Sequence, residues 1–145
     1  MPTLTTKIKE SVTLNGKVYG NEITKTHASI TSVRQNIIDV DSSSSSELFT
    51  FAAARAGLAG VEDAKAKYIR ITNLDGTNFV TINLYLDLAT DEYAAFNLKA
   101  GDSLIITKDT VKTGSVTTSL TQLDAIHALA NTADCQVEIF IAEIN

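Results

Sequence analysis

Lys67-Tyr68-Ile69-Arg70-Ile71-Thr72-Asn73-Leu74-Asp75-Gly76-Thr77-Asn78-Phe79-Val80-Thr81-Ile82-Asn83-Leu84-Tyr85-Leu86 is the stretch from which the fold class can be read. Ile69 and Ile71 alternate with Tyr68, Arg70 and Thr72, the period of two that a half-buried strand requires. Asp75-Gly76 follows in a short polar loop and predicts a hairpin, because glycine accepts positive φ and aspartate bonds its own backbone. Val80, Ile82, Leu84 and Leu86 then alternate with Phe79, Thr81, Asn83 and Tyr85, so a second strand is expected to run back beside the first. Glu92 to Leu98 reads as a third strand, which turns at Lys99-Ala100-Gly101-Asp102 and returns through Ser103 to Thr107.

The same period recurs on both sides of this stretch. Val33, Ile37, Ile38 and Val40 predict a strand between Ile30 and Asp41 with a bulge near Asn36. Ser42 to Ser46 reads as a flexible loop, and Glu47 to Phe51 resumes strand character. Ala52 to Gly60 reads as a loop holding at most one helical turn, since two glycines interrupt it. Lys108 to Thr118 is a polar excursion. Thr121 to Ala130 and Cys135 to Ile144 are joined by Asn131-Thr132-Ala133-Asp134 and predict a closing hairpin. Eight or nine strands result, and the expected fold is all-β: an antiparallel β-sandwich of jelly-roll kind over residues 29–145.

Residues 1–28 stand apart as an N-terminal arm or hairpin. Asn15-Gly16 is the pair that a type I′ loop needs, and the segment is too poor in apolar residues for a core of its own. It therefore docks on the domain or on a neighbouring subunit, which makes Leu4, Ile8, Val12, Leu14 and Tyr19 candidates for partner contact. Phe140 and Ile144 join them, because they face away from Val137, Ile139 and Ile141 and make the last strand apolar on both sides.

Composition narrows the function. Twelve basic against 17 acidic residues give a net charge of −5, which speaks against a nucleic-acid groove built from clustered lysine and arginine. One cysteine permits no internal disulfide. Neither a secretory signal nor an apolar run long enough to span a bilayer is apparent, so no membrane partner is expected. The two histidines, His27 and His127, have no second nitrogen or sulfur ligand at metal spacing, and no metal or cofactor is expected. Asp87, Asp91 and Glu92 read as a solvated loop and not a calcium site. Pairing of Cys135 with His127 is the one nucleophilic arrangement conceivable, and it lacks an orienting third group. Phe49, Phe51, Phe79 and Phe96 read as core; Tyr19, Tyr68, Tyr85 and Tyr93 remain for the surface, where sugars could stack.

Three phrases, Lys67 to Asp75, Phe96 to Ser103 and Cys135 to Ala142, resemble small virion structural proteins of tailed bacteriophages, particularly marine ones. The resemblance spans residues 30–145 and implies a non-enzymatic β-sandwich present in many copies on the virion, assembled in the host cytoplasm. A capsid decoration or cement protein is the leading expectation, with the major capsid protein, other virion subunits and further copies of itself as partners. A tail or head-fibre appendage that binds a glycan or receptor is the alternative.

Overall fold

The computed structural model describes residues 1–52, 60–62, 65–89, 91–106 and 123–144. All regular elements among them are strands, so the chain is all-β. Strands β1 (Leu4–Lys9), β2 (Val12–Leu14), β3 (Lys17–Tyr19) and β4 (Glu22–His27) form the N-terminal arm. The body contains β5 (Ile30–Val40), β6 (Ser46–Ala52), β7 (Gly60–Glu62), β8 (Ala66–Asn73), β9 (Val80–Asp87), β10 (Glu92–Leu98), β11 (Ser103–Ile106), β12 (Ala125–Ala130) and β13 (Cys135–Ile144). One sheet has the order β10-β9-β12-β6-β7 and the other β11-β8-β13-β5; β7 runs parallel to β6 and the remaining pairs are antiparallel.

The inward faces of both sheets feed one core. Phe49, Val80, Ile82, Leu84 and Ile126 from the first meet Val40, Ile69, Ile71, Val137, Ile139 and Ile141 from the second. Each such side chain removed from water contributes roughly 1.5–3 kcal/mol, the main term opposing chain entropy.

Three pairs of segments expected to be hairpins are not. β8 and β9 flank Asp75-Gly76, β10 and β11 flank Lys99 to Asp102, and β12 and β13 flank Asn131 to Asp134, yet each pair is divided between the two sheets. The turns are corners. At the first, Gly76 does not occupy the left-handed region, so the twist-matched I′ loop is absent. The Asp75 carboxylate instead accepts the amides of Thr77 and Asn78 at 2.7 and 2.5 Å, closing a loop that steps across the core. The hairpin between β9 and β10 does form, with a bulge at Glu92/Tyr93.

Other expectations need correction. The Ser42–Ser46 segment is a hydrogen-bonded crossover: Ser42 donates its amide and hydroxyl to Asp134, and Ser43 donates both of its own to Asp41. The bulge in β5 lies at Thr31, which has no register partner, and not at Asn36. The break in pattern near Asn36 arises because Val33 and Ile37 face outward and are exposed. Phe79 and Phe96 are exposed. Phe96 shares a row with Ile82 but lies on the edge strand β10, beyond the cover of the opposite sheet. Tyr68 is buried. The expectations for Lys108 to Thr118, and for a helical turn between Ala52 and Gly60, fall outside the described residues.

Candidate functional site

The arm is one long ribbon. β1 pairs with β4 from Leu4↔His27 to Lys9↔Glu22, and β2 pairs with β3 around Asn15-Gly16, whose φ values of +52° and +75° suit a I′ loop. Between the two ladders the chain bends at Gly20, where φ is +135° and a Cβ would lie 2.0 Å from the Glu10 carbonyl oxygen. Only glycine fits that approach. The amide of Glu10 donates to the Asn21 carbonyl at 2.9 Å and carries the ladder past the bend.

Register places Leu4, His27, Thr6, Lys25, Ile8 and Ile23 on one face of the β1/β4 ribbon. The root of that face is covered. Ile30 donates its amide to Pro2, and Leu4, Phe140 and Ile144 each pack against the buried cluster of Ile30, Tyr68 and Ala142. Phe140 thus lies beside Leu4, Ile8 and Ile23 of the chain's own arm, while Ile144 packs against Ile30, Tyr68 and Ala142 of the body. Ring centroids of His27 and Tyr68 lie 5.9 Å apart, and those of Tyr68 and Phe140 6.0 Å apart.

Beyond the root, the ribbon and the outer face of β8, β11 and β13 enclose a groove of about 390 Å³. Its walls are Leu4, Ile8, Ile23, Tyr68, Ile105 and Phe140, with Lys7, Lys25 and Arg70 among the residues lining it. Arg70 is engaged with Glu138, whose carboxyl is held below its usual range first by the hydrogen bond from Gln35 and then by Arg70. Of the candidate contact residues, Ile8, Val12, Leu14 and Tyr19 are exposed; Val18 and Ile23, not singled out from the sequence, are more exposed still, at 67% and 61%. Four lysines, Lys7, Lys9, Lys17 and Lys25, oppose Glu10 and Glu22, so the arm is the basic part of an acidic chain.

No family model matches the chain, and no curated protein or solved structure does so either.

Burial, and secondarily Lys25, pushes the His27 imidazole below its ordinary value of 6.5. A depressed histidine value means that the folded arm root favours the neutral ring. Its contribution is complete above about pH 6.5 and is lost as the pH falls below that. The protection of the Leu4 and Ile30 amides, measured against intrinsic exchange at each pH, should therefore fall between about pH 7 and 5, and His27→Gln should remove most of that dependence.

The other candidates separate. Cys135 belongs to the core and donates its thiol to the Ala133 carbonyl, and burial pushes its pKa up. His127 lies in the other sheet, so the Cys135 and His127 pairing does not form. His127 instead has Ser45 Oγ 3.4 Å from Nδ1 and Glu47 Oε2 3.9 Å from Nε2. This serine, histidine and glutamate line was invisible in the sequence because 82 residues separate Ser45 from His127. The amides of Ser42 and Ser43 are already bonded to Asp134 and Asp41, so they cannot cradle an oxyanion for it. Among the described residues, no three His, Cys, Asp or Glu side chains converge on a metal-sized space.

Proposed function

We propose that this chain is a non-enzymatic virion structural protein that decorates or cements a tailed-phage capsid in many copies, with a body of jelly-roll kind. The observation that carries this is the arm. Val12, Leu14, Val18 and Ile23 are 58 to 67% exposed on a two-stranded ribbon, an element only marginally stable in water by itself. Exposed apolar side chains on a projecting ribbon call for a neighbour that covers them. A lattice suits such an arm, since many modest contacts add through tethering. Capsid subunits and adjacent copies of the chain are the partners proposed.

Support for a jelly-roll sandwich comes from the connections. The chain passes between the sheets at β5 to β6, β7 to β8, β8 to β9, β10 to β11, β11 to β12 and β12 to β13. Repeated crossing of this type distinguishes double-sheet jelly rolls from meanders. Of the sequence phrases that resemble phage virion proteins, Phe96 to Ser103 spans one of these corners and the other two adjoin one.

The test counts copies of the chain on purified particles of the phage that encodes it. Leu14→Asp with Val18→Asp removes apolar contact worth roughly 1.5–3 kcal/mol per side chain, so occupancy should fall at least tenfold. Gly20→Ala, which disrupts the bend, should act likewise while the body's unfolding midpoint stays unchanged. Full occupancy by both variants would overturn the proposal.

A further inference from the structure

The outer face of the β10-β9-β12-β6 sheet carries a second feature that the arm does not involve. Ala95, Asn83, His127 and Glu47 are successive register partners across the four strands. One row along the same face, Tyr93 and Tyr85 are partners, with Ala125 beyond them. The rings of His127, Tyr85 and Tyr93 form a line with centroid spacings of 4.7 and 5.1 Å. Tyr93 is half exposed, while the exposed Ala95 leaves open space beside it.

A ladder of rings across strands stabilises a sheet, which would explain Tyr85 and Tyr93 alone. It does not explain the polar atoms next to them. Asn83 Oδ1 and His127 Nε2 belong to register partners, and both are buried with no hydrogen-bond partner. Such groups cost free energy in the unliganded chain. Ser45 Oγ can donate to His127 Nδ1, which leaves the ring proton on Nε2 without a hydrogen bond, the Glu47 carboxylate standing off at 3.9 Å. The pair thus lacks one acceptor and one donor, the two roles that a hydroxyl plays at once.

We infer that this patch binds a neutral saccharide. A pyranose lays its C–H face on Tyr93, while its hydroxyls accept from His127 Nε2 and donate to Asn83 Oδ1 and the Glu47 carboxylate. Tyr93 and Glu47 are the exposed side chains that shift to admit it. Glu47, with Asp91 and Glu92 at the β9–β10 turn, disfavours acidic sugars. This inference does not depend on the capsid proposal, and a chain could satisfy either without the other.

The experiment titrates the full chain with neutral, acidic and amino sugars, first on a glycan array and then by amide NMR shifts. Neutral glycans should shift Ala95, Asn83 and His127. Tyr93→Ala should weaken binding at least tenfold, the loss of stacking and buried area, whereas Tyr93→Phe should retain it. Asn83→Ala tests the hydroxyl contact separately and should weaken binding similarly. Silence of every neutral sugar at millimolar concentration, preference for acidic or amino sugars, or unchanged binding by Tyr93→Ala would each overturn the inference. Particle occupancy of Tyr93→Ala should equal that of the unsubstituted chain.

Discussion

Replacing Asn73 by Asp should lower the free energy of unfolding by about 3 kcal/mol or more, although the two side chains are nearly identical in shape. Asn73 is fully buried. Its amide nitrogen donates to the carbonyls of Asn78, Leu98 and Lys99 at 2.8, 3.1 and 3.2 Å, and its oxygen accepts from the Asp75 amide at 3.0 Å. Asn73 also bonds through its backbone to Asp102 and Gly101. One side chain therefore ties the β8 to β9 corner to the β10 to β11 corner. An aspartate would set a carboxylate oxygen against three carbonyl oxygens and withdraw the donor they share; Lys99 keeps the amide of Asp102, and each carbonyl left unpaired costs about 1–3 kcal/mol. Acid should partly rescue the variant, because the protonated carboxyl regains one donor. Denaturant titrations at neutral and acidic pH measure both effects, and a loss below about 1 kcal/mol would show that the corners hold without this link.

Phe49→Ala should cost about 3–5 kcal/mol, whereas Phe96→Ala should cost less than about 1 kcal/mol. Phe49 has no exposed surface, packs its ring 5.4 Å from that of Phe51 and lies inside the single core cluster that both sheets share. Truncation there leaves a cavity between two layers that cannot close onto each other without moving strands. Phe96 is 44% exposed on an edge strand. The two unfolding midpoints, compared at equal denaturant slope, measure the contrast; equal losses would mean that β10 is covered in solution by something beyond this chain.

The second contrast shows where sequence reasoning stops. Phe49 and Phe96 both sit in strands of alternating polarity, and nothing local separates them. Which of them meets the opposite sheet depends on whether the strand is central or at an edge, and strand order is fixed by contacts far apart along the chain. Asn73 was legible only as a turn residue beside Asp75-Gly76. Its part in joining two corners rests on Leu98 and Lys99, some 25 residues away. The arm was more open to view. Asn15-Gly16 predicted the loop that forms, and the thin apolar content predicted exposure, because a hairpin is local and its register follows from the turn. The ring line on the outer face was half visible: Tyr85 and Tyr93 could be named as surface rings, but not their closeness to His127, Ser45 and Glu47.

By itself the sequence determined that this chain is built of strands and, for most of them, which side chains turn inward, because alternation is a property of the extended backbone and needs no partner. It also determined the I′ loop of the arm through the positive φ that Asn-Gly tolerates. The tertiary structure alone decided that the turns after β8, β10 and β12 are corners between sheets and not hairpins. An inward-facing strand gains the same burial whichever inward face it meets, so the choice between pairing with the next strand and crossing over falls to long-range contacts such as those of Asn73.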